Sequence, residues 1–211
     1  MKKFLLTITI LFIIPFSLKS QIINNYGLKF GFAQTIQNSD NKVYNQTINF
    51  IDGFSVSAFV DLFNFNGFSI SPEIKYIRKG AQFNVLPQLE NGPAVVRYQK
   101  YKLHQSYLSI PIFFVYKKEL AIGEPYIKVA LRYDILLRTT DNINSSYSYY
   151  NNVDFKNLFG GSLSIGIIPN INFIFKPILE LSYLTDFTKS YTINVNSMKN
   201  EVFEFSLGFI L

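Results

Sequence analysis

Very few residues of this chain could carry out covalent chemistry. His104 is the only histidine among 211 residues. A serine-dependent hydrolase or acyltransferase pairs a histidine with a serine and a carboxylate or amide, and Ser106 and Asp141 could supply these partners. No local motif surrounds His104, and catalytic residues are recognised by their structural context. We therefore expect a protein without enzymatic activity.

The sequence also lacks the patterns of metal and cofactor sites. Because it contains no cysteine, disulfides, thiolate metal sites and a lipid-anchored N-terminal cysteine are excluded. It shows no calcium-binding loop, no phosphate-cradling glycine loop and no His/Cys metal cluster. We expect no cofactor and no metal.

A second group of titratable residues is defined by its spacing. These residues recur at every second position of segments whose other face is apolar, and the charged face carries equal numbers of bases and acids: Lys29, Lys75, Lys128, Arg132 and Lys176 against Asp61, Glu73, Asp134, Glu180 and Glu204. Buried charges are costly unless they are paired, so the balance predicts an interior ion-pair network. A small polar conduit is the alternative. The network that we predict consists of Glu73, Lys75, Lys128, Arg132, Asp134, Lys176, Glu180 and Glu204.

The segments that position these residues have the two-residue period of β-strands. In residues 107–118 (YLSIPIFFVYKK) the even positions are apolar up to Tyr116, whereas the odd positions are mixed. Segments of about ten or more residues match the wall of a membrane barrel, since strands of soluble proteins are nearer five or six. The pattern predicts eight strands, at about 26–34, 53–62, 68–79, 107–118, 126–138, 159–168, 173–187 and 203–211.

The connections between these segments alternate in length. Residues 63–67, 119–125 and 169–172 are short links, and Asn66-Gly67 is a strong hairpin signal. The intervening links are long, at 35–52, 80–106, 139–158 and 188–201. Short periplasmic turns and long extracellular loops are typical of outer-membrane barrels. We predict an all-β fold, an eight-stranded antiparallel up-and-down transmembrane β-barrel.

Composition and the N-terminus agree with this location. Aromatic residues make up 17% of the chain and charged residues 16%. Residues 1–20 resemble a secretory signal peptide, with Lys2 and Lys3 before an apolar stretch and a cleavage site after Ser20. The barrel domain is then 21–211. Removing Lys2, Lys3 and Lys19 from the 20 bases leaves 17 against 14 acids, a net charge of +3, which does not indicate nucleic-acid binding.

Several motifs in order along the mature chain carry a family resemblance. They are GLKFG at 27–31, GFSV at 53–56, SPEIKYIRKG at 71–80, YLSIP at 107–111, PY at 125–126 and ELSY at 180–183. In these the chain resembles the PorT-like outer-membrane β-barrel family of Bacteroidota. The resemblance implies insertion into the cell outer membrane by the barrel-assembly machinery. Many barrels end in an aromatic residue, whereas this chain ends Phe209-Ile210-Leu211, so Phe209 would serve as that signal.

Three interpretations of function remain open at this point. The first is a non-enzymatic structural, adhesive or accessory membrane protein that contacts outer-membrane lipid and acts through its outer loops, such as the Asn-, Ser- and Tyr-rich 141–152, or through a protein partner. The second is a narrow pore or transport conduit. The third, from the resemblance alone, is an accessory subunit of a secretion or uptake complex. The rival fold is a soluble lipocalin-like barrel, which would put its apolar residues inside.

Overall fold

A computed structural model describes residues 22–39, 47–85, 99–141, 155–171, 174–193 and 196–211. The predicted signal peptide and its cleavage site lie outside these residues, as does most of 141–152. No helix in the described ranges is long and apolar enough to cross a membrane. The strands are β1 (Ile23–Ser39), β2 (Thr47–Asn49), β3 (Ile51–Phe65), β4 (Phe68–Val85), β5 (Gln99–Lys117), β6 (Gly123–Asp141), β7 (Leu158–Pro169), β8 (Lys176–Asp186), β9 (Tyr191–Ile193) and β10 (Asn196–Ile210).

Eight of these strands form a closed antiparallel barrel. Their order is β1-β3-β4-β5-β6-β7-β8-β10, and β10 pairs back with β1 from Gly27↔Ile210 to Ser39↔Met198. Closure leaves no unpaired sheet edge. The short strands β2 and β9 were not predicted; they pair with β4 and β10. The predicted eight-stranded up-and-down barrel is confirmed.

The two faces of the wall have opposite character. In β5 the exposed fractions of Ile112, Phe113, Phe114 and Val115 are 50%, 2%, 61% and 4%, so alternate side chains point outward and inward. The outward face carries large apolar side chains around the whole barrel, whereas buried lysines, glutamates, aspartates and serines point inward. An apolar exterior around a polar interior is typical of a barrel that faces lipid. It is the reverse of the lipocalin-like alternative, which is therefore wrong.

The strands run well beyond the apolar band at one end only. There, β4 and β5 remain paired as far as Val85↔Gln99, where the sequence predicted a connection over 80–106. At the other end the barrel strands end in tight connections, with two residues between β3 and β4, five between β5 and β6, and six between β7 and β8. We call these the long-loop end and the short-turn end.

The Asn66-Gly67 turn at the short-turn end is the hairpin that the sequence predicts. Asn66 and Gly67 have φ of 52° and 86°, as a two-residue type I′ turn requires. A Cβ added to Gly67 would come within 2.3 Å of the Lys117 carbonyl oxygen, so glycine is needed there for space as well. A β-bulge between Leu62 and Phe65, where Phe63 has a φ of 53°, then shifts the register by one residue. The turn and the bulge together determine which residues of β3 and β4 face the lumen.

Inside the barrel, apolar and charged layers alternate. Along β8 the inward side chains are Ile178, Glu180, Ser182, Leu184 and Asp186. Ile178 belongs to an apolar cluster with Phe59, Ile168 and Ile210, close to the short-turn end. Leu184 belongs to a second apolar cluster, with Ala33, Ile77, Tyr107, Leu158 and Val202. The charged residues therefore lie in a lumen whose apolar layers leave them little contact with water.

Candidate functional site: the ion-pair network of the lumen

The larger group of charges in the lumen contains three lysines and three glutamates. We call it the six-residue cluster; it consists of Lys29, Glu73, Lys75, Lys128, Glu180 and Glu204. Lys29 Nζ lies 2.6 Å from Glu73 Oε2 and 3.2 Å from Glu180 Oε1. Lys128 Nζ lies 2.7 Å from Glu180 Oε2, and Lys75 Nζ lies 3.0 Å from Glu204 Oε2. Weaker contacts of 3.5 and 3.7 Å join Glu73 to Lys75 and Lys128, so the six residues form one network.

Hydroxyl groups complete the shells of two of these glutamates. Glu204 Oε1 accepts hydrogen bonds from Ser55 Oγ at 2.6 Å and from Ser206 Oγ at 2.8 Å. Glu180 accepts hydrogen bonds from Tyr126 Oη at 2.7 Å and from Ser182 Oγ at 3.1 Å. Bonds to an ionised carboxylate are stronger than neutral ones. These two carboxylates are therefore held in place by more than one kind of donor.

A second group, the four-residue cluster, lies nearer the long-loop end and consists of Lys79, Arg132, Asp134 and Asp186. Lys79 Nζ lies 2.5 Å from Asp134 Oδ2 and 3.2 Å from Asp186 Oδ1. The Arg132 guanidinium pairs with the same two carboxylates through Nη1 and Nη2, and its Nε donates to the Gly161 carbonyl oxygen at 3.3 Å. Arg132 therefore uses its planar fork to bridge two strands.

The hydrogen-bond network continues from this cluster toward the long-loop end. Asp186 Oδ2 accepts a bond of 2.7 Å from Asn200 Nδ2. Asn200 Oδ1 in turn accepts from Gln37 Nε2 at 2.8 Å, and Gln37 Oε1 accepts from Tyr191 Oη at 2.6 Å. The sequence did not predict this layer of amide side chains. The network was predicted from equal numbers of acidic and basic residues, and uncharged residues do not enter that comparison.

Both clusters are electrically neutral and almost fully buried. Three lysines face three glutamates, and one lysine and one arginine face two aspartates. The side chains concerned are at most 6% exposed. Leaving one buried charge without its partner costs about 3–5 kcal/mol, whereas a complete pair is close to neutral relative to apolar packing. The balance is therefore what makes this polar interior tolerable.

The ion pairs that connect different strands have a common geometry. Lys29 of β1 reaches Glu73 of β4 and Glu180 of β8, although β1 is hydrogen-bonded to β3 and β10. Lys75 of β4 reaches Glu204 of β10, again not a neighbour of its own strand. The same holds for every inter-strand ion pair among the described residues, including Asp61–Lys117 at 2.5 Å near the short-turn end. Each such pair therefore reaches past at least one intervening strand, through the lumen.

Little free space remains around the six-residue cluster. A cavity of about 30 Å³ is lined by Lys29, Lys128 and Glu180 together with apolar residues such as Phe59 and Ile178. Such a volume holds roughly two water molecules. Lys128 Nζ also lies 3.9 Å from the centroid of the Phe113 ring, a cation–π contact between the neighbouring strands β6 and β5. This part of the interior is filled, as expected for an eight-stranded barrel.

The structure brings seven of the eight predicted network residues into the lumen. Glu73, Lys75, Lys128, Glu180 and Glu204 lie in the six-residue cluster, and Arg132 and Asp134 in the other. Lys176 is the exception, and its assignment to the network is wrong. It shares the inward phase of Glu180 but is the first residue of β8, and it lies exposed at the short-turn end. A residue with the inward phase of its strand is therefore not necessarily buried when it lies at the open end of the lumen.

Three charged members of the lumen were missed by the sequence reasoning: Lys117, which pairs with Asp61, and two residues of the four-residue cluster. Lys79 and Asp186 complete the four-residue cluster, and both lie at the ends of predicted segments. On β4, Lys79 faces the lumen at the same two-residue spacing as Glu73 and Lys75. On β8, Asp186 faces the lumen at the same spacing as Glu180. The two-residue alternation would have identified both residues if it had been extended to the last positions of each predicted segment.

His104 and Ser106 do not lie in the lumen. Both are on the outward face of β5, where His104 pairs with Gly80 and Thr140 and Ser106 pairs with Arg78. Ser106 Oγ lies 2.9 Å from Tyr76 Oη. The side chain of Asp141 is outside the described part. Within the described ranges, no group of three or more His, Asp or Glu side chains is placed to hold a metal ion.

Comparison with solved structures gives similar barrels at low sequence identity. Ail of Yersinia pestis, solved with the heparin analogue sucrose octasulfate, has a TM-score of 0.43 and 10% identity, covering 89% of this chain and 98% of that one. Neisserial surface protein A has a TM-score of 0.47 and 13% identity, covering 87% and 96%. OprG of Pseudomonas aeruginosa has a TM-score of 0.47 and 12% identity, covering 91% and 98%.

No curated protein sequence matches the chain. The family model that describes the outer membrane protein beta-barrel domain, in contrast, matches residues 20–209. That range includes every residue of the two ion-pair clusters and all of the barrel strands except Ile210, the last residue of β10. The chain belongs to the outer membrane protein β-barrel domain family, and its place is the cell outer membrane.

Proposed function

We propose that this protein is a non-enzymatic outer-membrane barrel with a closed lumen, which acts by displaying its long-loop end. The observation that carries the proposal is the content of the lumen. Ten charged side chains from five strands meet in two neutral clusters, and the cavity beside the larger cluster is about 30 Å³. Moving an ion past them would require breaking buried ion pairs, which is costly. A structural, adhesive or accessory role therefore fits better than a conduit.

The orientation follows from the connections. In barrels of the outer membrane, short turns lie in the periplasm and longer connections face the outside. The short-turn end has connections of two, five and six residues. We therefore place the long-loop end outside the cell. Residues 141–152 would be available there for adaptable contacts through Asn, Ser and Tyr.

Single-channel conductance in a planar bilayer tests the closed lumen. The chain from Gln21 onward is folded into lipid, and heat-modifiable gel migration verifies the barrel. We expect no steady conductance from the wild type. Lys75→Ser with Glu204→Ser, which removes one buried pair without changing net charge, is the control that shows an opened lumen can be detected. Steady conductance of the wild type in verified barrels would overturn the proposal in favour of the narrow pore.

The finer family assignment is also a proposal. The order of the GLKFG, SPEIKYIRKG and YLSIP motifs supports a PorT-like member from Bacteroidota, exported by a signal peptide that is cut after Ser20. N-terminal sequencing of protein from an outer-membrane fraction should give Gln21 as the first residue. Purification from that fraction in mild detergent tests the accessory role. A stoichiometric protein partner would favour a subunit of a secretion or uptake complex, and a lone barrel would disfavour it.

A further inference from the structure

The outward face of three adjacent strands changes from apolar to basic at one level. Arg78 of β4 pairs with Ser106 of β5, and Ser106 pairs with Arg138 of β6. With strands about 4.8 Å apart, the Cα atoms of the two arginines are roughly 10 Å from each other. Lys102 and Lys100 follow on the outward face of β5, opposite Gln82 and Asn84. We call Arg78, Lys100, Lys102 and Arg138 the basic patch.

The basic patch begins directly beyond the apolar band. The outward residues that precede Arg78 on β4 are Ile74 and Tyr76, and those before Arg138 on β6 include Leu137. Because successive outward residues on a strand are about 6.6 Å apart, the Cα atom of Arg78 lies one such step beyond that of Tyr76. This is the level at which lipid headgroups begin. The patch lies at the long-loop end, so its place in the outer leaflet rests on the orientation proposed above.

The patch is of one sign. The described outward side chains of β4, β5 and β6 beyond the apolar band are Arg78, Gln82, Asn84, Lys100, Lys102, His104, Ser106, Arg138 and Thr140, and none is acidic. Burial, with the charges of Arg78 and Lys102, lowers the pKa of His104 below its ordinary value. The adjoining strand β3 carries Asp52, which accepts a hydrogen bond from Gln34 of β1 on its far side.

The rest of the barrel's rim differs from this sector. On β10, Glu201 and Lys199 both follow the apolar residue Phe203, so charges of both signs occur together. At the short-turn end Lys118, Glu119 and Glu124 are likewise mixed. Among the described residues, a surface with charges of one sign on three neighbouring strands is therefore a local feature and does not follow from the net charge of the chain.

We propose that the basic patch binds the phosphate groups of a phosphorylated glycolipid of the lipid A type in the outer leaflet. Arginine offers a planar fork of donors that matches a phosphate group in bidentate geometry. The acyl chains of such a lipid would lie along the apolar side chains below the patch, such as Tyr76, Leu108 and Ile135. A free phosphate ion would gain only the polar half of these contacts.

Native mass spectrometry of the folded mature barrel in detergent tests the proposal, with lipid A, dephosphorylated lipid A and inorganic phosphate as probes. We expect the wild type to retain lipid A and to lose most of it when its phosphates are removed. Arg78→Gln with Arg138→Gln should lower retention roughly tenfold or more, since each bond between charged groups contributes substantially. The matched control is Lys156→Gln with Lys199→Gln, which removes two charges elsewhere on the same rim and should retain wild-type binding.

Three results would overturn the inference. They are equal retention by the arginine variant and the wild type, equal loss in both double variants, and displacement of lipid A by inorganic phosphate at millimolar concentration. The last would assign the patch to a free anion. Heat-modifiable migration of each variant separates these outcomes from misfolding, and conductance, which tests the closed lumen, does not depend on either arginine.

Discussion

Gly31 lies directly against Glu204 in the lumen: a Cβ added to Gly31 would stand 2.5 Å from Glu204 Oε1 and 2.4 Å from Ser55 Oγ. Gly31 is paired with Ser55 and Ser206 on the two neighbouring strands. The absence of a side chain at this position leaves the space in which the carboxylate collects its donors. The contact provides a direct test of how tightly the six-residue cluster is packed.

Gly31→Ala should lower the free energy of unfolding by about 1–3 kcal/mol, since it overpacks a filled interior. Ser55→Ala removes the hydroxyl that the new methyl group would meet, at the expense of one hydrogen bond to Glu204. The double variant should be less destabilised than the sum of the single variants. Urea unfolding in lipid vesicles, followed by heat-modifiable migration, measures all three. Additive effects would show that the methyl group does not meet Ser55.

Removing one partner of a buried ion pair should lower the free energy of unfolding more than removing both partners. Among the described lysines Glu204 pairs only with Lys75, so Lys75→Met leaves its carboxylate with the Ser55 and Ser206 hydroxyls as the described donors. We expect a loss of about 3–5 kcal/mol for Lys75→Met, and a smaller loss when Glu204→Gln is added. The same unfolding assay measures both. A double variant less stable than Lys75→Met would contradict the pairing.

A charge introduced on the outer wall should lower the free energy of unfolding more within the apolar band than beyond it. Ile112 is 50% exposed and lies within the apolar band, paired with Pro72 and Leu131. Ile112→Arg should lower the free energy of unfolding in vesicles by about 2–4 kcal/mol, because the new charge meets hydrocarbon. Thr140→Arg, on the outward face of β6 beyond the band, is the control and should cost about 0–1 kcal/mol. Equal effects would mean that this wall does not face lipid.

His104 provides a probe of the basic patch by its protonation. Burial, Arg78 and Lys102 lower its pKa, so NMR should give a value below 6.5, and the signal is unambiguous because the chain has a single histidine. The neutral form is favoured in the folded state, so His104 lowers the stability as the pH falls through 6.5 toward the folded pKa. Arg78→Gln should raise the pKa, whereas Lys199→Gln should not. An unchanged value in Arg78→Gln would show that the two residues are not electrostatically linked.

A phosphate group bound at the basic patch should raise the pKa of His104, which Arg78 and Lys102 otherwise lower. An anion at Arg78 and Arg138 would offset the positive charge near His104 and favour the imidazolium form. We therefore expect the pKa of His104 to rise when phosphorylated lipid A is added and to stay unchanged with its dephosphorylated form. A rise with both lipids would be attributed to the bilayer surface and would contradict recognition of phosphate.

The sequence predicted the strands and their faces because both depend on a local period. Each strand must place apolar side chains in lipid and polar side chains in the lumen. Apolar and polar residues therefore alternate in the sequence of every barrel strand. Phe113 and Phe114 show the limit of composition alone: they are the same residue type with opposite burial, 2% and 61% exposed. Their positions in the alternation, and not their type, decided the correct assignment.

The ends of the strands and the membership of the network were predicted less well. Beyond the apolar band the two faces of β4 and β5 reverse in polarity: Ala81, Phe83 and Leu103 are buried inside, whereas polar residues such as Asn84 and Lys100 face outward. The apolar outward pattern that identified the strands therefore stops before the strands do. Lys176 has the inward phase of β8, but it lies at the open end of the lumen and its side chain is exposed. Which lysine pairs with which glutamate depends on contacts across the barrel, and no spacing along the chain encodes those.

The lumen-crossing geometry of the ion pairs has a consequence for biogenesis. Lys29 and Glu180 are 151 residues apart, and Lys75 and Glu204 are 129 apart. Pairs such as Lys128–Glu180 can form in a partial sheet, because β6 and β8 are separated only by β7. Glu204 of β10, in contrast, meets Lys75 of β4 only across the seam that β1 and β10 close. Until that seam forms, the Glu204 carboxylate must therefore remain in contact with water or with the machinery that delivers the chain.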